Sequence, residues 1–430
     1  MPTELLSRKN FIRLSASSLG AFLLSWYPDF LSRQESTNWP TEPDAILTKI
    51  RELAFTPGSK LSSTITPRKI MWEIAQVRKA QQTWSEDARR DESKWMEHQE
   101  IIASSLSLLA ENGISGGRLA IFSYELTDDG VHFDWSPMET AIDLMRKHGM
   151  SVDLCLGPLD YPEGPGIRLP VYLQDMVRDE AKKQGVHHIH ISQDNDLQMP
   201  RSSEAIRAFA YDFCVQQLER YGQDERIEKF YIGNEWPDPH GIENVEGVTM
   251  SIGENFMKSI ISIVQEKTQK PIGINTNIHP SQVEKIQKEL GGVIRALGEN
   301  GFLGFDTYPT QEAKEFWLRR ANTHYGELIG VLHHLFPATA FVFTEMQGEP
   351  WPERTLAGKS WVDIFTTNPE VITQFYENQF APTLETNLIA SRIAEVGVWG
   401  IPAMLVFSQL GYTFPLELMK AIADAMGKEE

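Results

Sequence analysis

The sequence predicts an α/β chain closed into a (β/α)8 barrel, a TIM barrel with long βα loops. Three observations predict it. From residue 66 onward, short apolar runs alternate with amphipathic helices, the pattern of parallel strands joined by helical crossovers. Residues 118–156 make one complete strand–helix–strand step. Polar residues gather just after the apolar runs, where a barrel of this kind carries its reactive groups. An open doubly wound sheet is the structural alternative, but no glycine-rich phosphate loop follows an early strand.

The elements follow in order. The first strand is expected upstream of residue 118, with Lys69 to Val77 the best candidate, although the same residues also read as helix. Arg118-Leu119-Ala120-Ile121-Phe122 is the second strand. Ser136 offers an N-cap, Pro137 suits the first helical position, and Glu139 completes a capping box. Ala141, Ile142, Leu144 and Met145 supply the buried face of that helix, and Gly149 ends it. Ser151 to Leu156 is the third strand. Ile206, Phe209, Ala210 and Phe213 share one helical face; Gly222 follows, and Phe230 to Gly233 is the fourth strand. Phe256, Ile260, Ile261 and Val264 mark a helix before the fifth strand, Pro271 to Asn275. Phe302 to Asp306 and Ala340 to Thr344 are the sixth and seventh, and the eighth is expected around Ile401 to Phe407.

Residues 1–35 are expected to stand apart from the barrel, which takes 36–430. Ser7-Arg8-Lys9-Asn10-Phe11-Ile12 is basic and resembles the twin-arginine pattern, with Lys9 in place of the second arginine. A stretch of apolar and small residues, Ala16 to Trp26, follows without an acidic residue. That layout predicts an export signal or retained anchor, and so an exported protein, periplasmic or extracellular, that touches a membrane only through this segment. No later apolar run approaches the length of a membrane-spanning helix. With 40 Lys and Arg against 59 Asp and Glu, the net charge of −19 repels phosphate backbones and argues against a nucleic-acid partner. The two cysteines, Cys155 and Cys214, fall on apolar positions and read as buried free thiols.

The chemistry lies at the strand ends. The fourth strand ends Gly233-Asn234-Glu235-Trp236-Pro237, the sixth Asp306-Thr307-Tyr308-Pro309, and the seventh Thr344-Glu345-Met346-Gln347-Gly348-Glu349-Pro350-Trp351. Either glutamate alone would be ordinary rim structure. Glu235 and Glu345 together place two carboxylates on well-separated strands, facing each other across the barrel mouth. Cleavage of a glycosidic bond needs such a pair: one carboxyl protonates the departing oxygen, and the other attacks the anomeric carbon or activates water.

These motifs resemble glycoside hydrolase clan A. Gly233 to Pro237 is similar to the Asn-Glu motif of that clan's fourth strand, Phe343-Thr344-Glu345-Met346-Gln347 to its nucleophile strand, and Phe305 to Pro309 to its sixth strand. The likeness covers residues 110–410 and includes the step from Arg118 to Gly149. It implies a retaining glycosidase with no metal or cofactor, acting on a β-linked carbohydrate. Glu235 would be the acid/base and Glu345 the nucleophile, with their carboxyl groups about 5–5.5 Å apart. Arg118 and Tyr308 would hold Glu345, and Asn234 would bind the sugar 2-hydroxyl. Trp236, Trp351 and Tyr161 are candidate stacking platforms, and Gln347, Asp306, Asn275 and Asn277 candidate hydroxyl binders. The clan often carries a Trp at the end of its eighth strand. Here Ser408-Gln409 is expected at that point, with Trp399, a further substrate-binding candidate, before the strand. The altered strand motivates one competing reading, a catalytically silent carbohydrate-binding barrel. The cluster of His187, His188 and His190, with Asp194 and Asp196 nearby, motivates another, a metal-dependent hydrolase; a rim cluster without metal is the expectation.

Overall fold

A computed structural model describes residues 42–53, 55–56, 59–80, 94–157, 169–191, 201–238, 240–242, 245–278, 282–307, 325–347, 395–400 and 411–427, with single residues 376, 380, 381, 384, 393, 405 and 408. The export segment, Tyr161, Asp194, Asp196, Tyr308 and Trp351 lie outside them. Among the described residues no helix is long and apolar enough to cross a membrane.

Eight parallel strands close a barrel, each paired with the next and the last with the first. They are β1 (Lys60–Ile65), β2 (Gly116–Leu119), β3 (Ser151–Leu156), β5 (Ile227–Ile232), β8 (Ile272–Thr276), β9 (Gly301–Thr307), β10 (Ala340–Gln347) and β11 (Glu395–Trp399). Helices cover the outside; the helix Glu254–Lys267, for example, buries Phe256, Met257, Ile260, Ile261 and Val264. The other three strands, β4 (His188–Ile191), β6 (His240–Ile242) and β7 (Val245–Ile252), form a small side sheet built from the segments after β3 and β5.

Two strands differ from expectation. Lys69 to Val77 lies inside the helix Pro67–Ala80, and the first strand is the preceding Lys60-Leu61-Ser62-Ser63-Thr64-Ile65. Its three hydroxyl residues are buried, and two of them bond across to β11: Ser63 Oγ donates to the Val398 carbonyl at 3.0 Å and Ser62 Oγ to that of Val396 at 3.3 Å. A run so polar carries no apolar signature. The eighth strand is Glu395–Trp399, not Ile401 to Phe407. Gly397 sits in it because a Cβ there would come within 2.1 Å of the Thr344 carbonyl oxygen. Trp399 therefore ends the strand, and the departure read at Ser408-Gln409 disappears. One cap also differs: Ser136 is the first residue of the helix Ser136–Lys147, Trp135 is its N-cap without a side-chain cap bond, and the Asp134 carboxylate accepts the Ser136 backbone N–H at 2.9 Å. Cys155 and Cys214 are buried and free, with burial pushing both thiols up to about 12.

Near the N-terminal ends of the strands a charged cluster is buried. Lys229 pairs with Glu395 and, at 3.2 Å, with Asp153, while Lys60 reaches Glu228 at 3.0 Å and Glu395 at 3.9 Å. The Lys229 ammonium also lies 5.1 Å from the Phe302 ring centre and 5.5 Å from that of Tyr231. Burial, seconded by the Glu395 charge, pushes Asp153 up to about 7 despite Lys229. Because the folded value is the higher one, this carboxyl's contribution to stability is complete at low pH and fades as pH rises through about 7. Lys229→Met removes the cation that the two buried carboxylates share. Thermal melts should show a loss of about 3–5 kcal/mol at pH 8 and a smaller one at pH 5, where Asp153 holds its proton. An equal loss at both pH values would contradict this account.

Candidate active site

At the carboxy-terminal mouth, β5 runs into Gly233-Asn234-Glu235-Trp236. Gly233 takes φ +71° and Glu235 φ 49°, a left-handed conformation that few side-chain-bearing residues adopt. Asn275, at the end of β8, holds that turn. Its Oδ1 accepts the Glu235 backbone N–H at 3.1 Å, and its carbonyl accepts that of Trp236 at 3.1 Å. This fixes the Asn275 amide, so its Nδ2 faces acceptors: Asn234 Oδ1 at 2.8 Å and the Asp306 carboxyl at 3.0 and 3.1 Å. Fully buried and engaged at both ends, Asn275 spaces the strands and has no group left for a substrate hydroxyl.

Glu345 comes from a β-bulge. Val342 pairs with Gly304 and Phe343 with Phe305, but Glu345 pairs with Asp306, so Thr344 is the extra residue. Val342 packs with Phe302 inside the barrel. Strict alternation from Val342 would send Thr344 inward and Glu345 outward toward the helices. The bulge turns Glu345 inward instead. The strands on either side make room: a Cβ on Gly304 would lie 2.1 Å from Thr344 Cγ2, as one on Gly397 would from the Thr344 oxygen.

Arg118, buried on β2, donates from Nη2 to the Glu345 carboxylate and to Thr64 Oγ1 at 3.1 Å, and from Nη1 to Asn234 Oδ1 at 3.3 Å. Burial works against its charge, but Glu345 and the neighbouring Cys155, Tyr231 and Asp306 together outweigh burial, and the guanidinium is held charged more firmly than usual. Glu345 is 1% exposed, whereas Glu235 is half-buried. One carboxylate oxygen from each of Glu235, Asp306 and Glu345 lies within 4.8 Å of the others. Among the described residues these three are the one acidic, His or Cys group close enough to share a cation. Arg118 already occupies Glu345, and Asn275 and Thr344 occupy Asp306.

The structure thus brings together Arg118, Asn234, Glu235, Asn275, Asp306 and Glu345. It does not bring Trp236 to the opening. That ring is 3% exposed and its indole N–H donates to the Ile252 carbonyl at 2.8 Å, which ties the Glu235 turn to the side sheet. Asn277 donates to Asp238 at 2.8 Å. Gln347 and Trp399 end neighbouring strands and pair in register. Thr64 and Thr344 were missed; a threonine beside a buried Arg or Asp is visible only once strands are paired. The histidines form no metal group among the described residues. His188 contacts Thr249 Oγ1 and Ser251 Oγ at 2.9 Å each, and His190 contacts Ser251 Oγ at 2.8 Å.

A closed barrel of eight parallel strands with a carboxylate cluster at its carboxy-terminal mouth is a (β/α)8 barrel, and its fold neighbours are glycoside hydrolases. The GH5_18 enzyme of Streptomyces cattleya, in complex with GlcNAc, matches with a TM-score of 0.54 over 86% of this chain and 80% of that one, at 11% identity. A variant of it in complex with Manb1-4GlcNAc gives 0.52 over 79% and 70%, also at 11%. The β-galactosidase of Marinomonas ef1 gives 0.41 over 68% of this chain and 49% of that one, at 12%. The chain spans about half the length of the first β-galactosidases it matches. No protein-family model and no curated protein matches the sequence.

Proposed function

We propose that the protein is a retaining glycosidase that cleaves a β-linked bond in a neutral carbohydrate, with Glu235 as acid/base and Glu345 as nucleophile. The carboxylate spacing carries this reading. One oxygen each of Glu235 and Glu345 lying within 4.8 Å suits the roughly 5–5.5 Å separation of direct attack better than the wider gap that holds the water of an inverting enzyme. The two environments fit the two roles. Glu345 is buried and held by Arg118, a partner for a carboxylate that must stay charged. Glu235 stands half-buried at the opening, where a leaving group departs. Asn234 turns its Oδ1 to Arg118 and Asn275, leaving its NH2 group to donate to a sugar hydroxyl. Arg118, the one cation in this cluster among the described residues, is already paired with Glu345, which favours a neutral sugar over a uronic one beside it. Trp399 ends β11, the strand end at which the clan often carries a tryptophan, and this supports the catalytic reading over a silent barrel.

Purified protein should release aryl alcohol from p-nitrophenyl β-glycosides. Manb1-4GlcNAc and other β-linked mannosides, glucosides and galactosides form the oligosaccharide panel. Proton NMR of the first-formed sugar should show the β-anomer; an α-anomer formed first would overturn retention. Export rests on the basic and apolar N-terminal segment: a reporter fused behind residues 1–35 should leave a bacterial cytoplasm, and cytoplasmic retention would refute it.

A further inference from the structure

Asp306 is the third carboxyl of the cluster, and hydrolysis by two carboxyls has no use for it. It is 6% exposed, at the end of β9. Glu345 and Thr344 face it from β10, Glu235 from the end of β5, Asn275 from β8, and Arg118 from β2. Three negative charges here would share a single cation, Arg118.

The hydrogen bonds show how the excess is removed. Thr344 Oγ1 lies 2.8 Å from Asp306 Oδ1 and 3.2 Å from the Phe305 carbonyl oxygen. Its one hydrogen can serve only one of them. If Asp306 is ionised, either it or the Phe305 carbonyl loses this donor. If Asp306 carries a proton on Oδ1, the chain closes: Asp306 donates to Thr344, Thr344 donates to Phe305, and Asp306 Oδ2 accepts from Asn275 at 3.0 Å. The excess of negative charge also falls: Arg118 is left paired with Glu345, without a second carboxylate on the neighbouring strand.

We propose that Asp306 is a positioning residue held as a neutral acid, which donates its proton to Thr344 and leaves Glu345 the only carboxylate beside Arg118. Burial first, then the charges of Glu345 and Glu235, push the Asp306 carboxyl well above the ordinary carboxylate range, the direction the hydrogen bonds require. The part this plays in turnover rests on the glycosidase reading; the protonation state does not. By holding the bulged Thr344 through its hydroxyl, Asp306 would set the direction of the adjacent Glu345.

Unfolding temperatures of full-length wild type and Asp306→Asn, measured from pH 4.5 to 8.5, test the protonation. An asparagine reproduces the neutral acid, donating to Thr344 and accepting from Asn275. The wild type holds a proton that its unfolded chain releases above the ordinary carboxylate range, so only the wild type loses this group's contribution to stability as pH rises. The difference between the two proteins should move steadily in favour of Asp306→Asn. A constant difference, or one moving toward the wild type, means an ionised Asp306 and overturns the proposal. If the variant fails to fold, wild type labelled with carbon-13 at its aspartate carboxyls decides instead. One resonance should keep the shift of the protonated acid at pH 8, and its absence would refute the assignment. Neither measurement needs a substrate, so a protein with no activity on aryl β-glycosides would sink the proposed function without touching this one. Where wild type does turn over an aryl β-glycoside, Asp306→Asn should keep more of that activity than Asp306→Ala; equal losses would leave Asp306 no positioning role.

Discussion

Glu345→Ala should abolish turnover of an aryl β-glycoside, with a loss on the order of 10^5-fold or more, the scale seen when a covalent nucleophile is removed. No other carboxylate can substitute. Asp306 is held by Thr344 and Asn275 on the neighbouring strand, and Glu235 stands across the mouth. Azide separates loss of the nucleophile from loss of the site. In the space vacated by the carboxylate it should restore turnover and yield the α-glycosyl azide, since it attacks from the nucleophile's face. Glu345→Gln fills that space and should not be rescued. Removing Glu345 also leaves Arg118 buried without its counter-charge, so folding of both variants is checked by circular dichroism. Undiminished hydrolysis in folded Glu345→Ala would end the assignment.

Glu235→Gln should give a loss that depends on the leaving group. A general acid contributes about 10^2–10^4-fold, and only where the departing oxygen needs a proton. Alkyl glycosides and disaccharides should therefore lose most of their turnover. Dinitrophenyl glycosides should still form the glycosyl-enzyme and then stall, because water attacks it without a base. The expected signature is a burst followed by a low steady rate, with azide accelerating the second step to the β-glycosyl azide. The glutamine keeps the shape of the side chain, and Asn275 pins the left-handed residue of the turn through its backbone N–H. A uniform loss across leaving groups would show that Glu235 is not the proton donor.

The difference in legibility between strands has a physical origin. A strand covered on both faces is an apolar run, and β3, β5, β9 and β10 were visible for that reason. β1 was hidden because Ser62 and Ser63 satisfy their hydroxyls on the carbonyls of β11, an arrangement that closes the barrel between segments more than 300 residues apart. β11 was hidden by Gly397, required by a contact with Thr344 and not by any local conformation. The longer apolar run after it drew the expectation downstream.

What the sequence determined by itself was the kind of barrel and the residues of its mouth: Arg118, Asn234, Glu235, Asp306 and Glu345 follow or begin apolar runs, and that phase is local. Which way those side chains point was settled only by tertiary structure. A period of two starting at Val342 would have put Glu345 among the helices; the bulge at Thr344 returns it to the barrel, and the bulge exists because Gly304 and Gly397 leave space on both neighbours. Asn275 reads as a rim amide in sequence, yet it becomes the buried link among Asn234, Glu235 and Asp306. Trp236, beside the acid in sequence, becomes an anchor to the side sheet. Direction depends on what lies across the strand gap, and those partners are supplied by parts of the chain that sequence proximity does not connect.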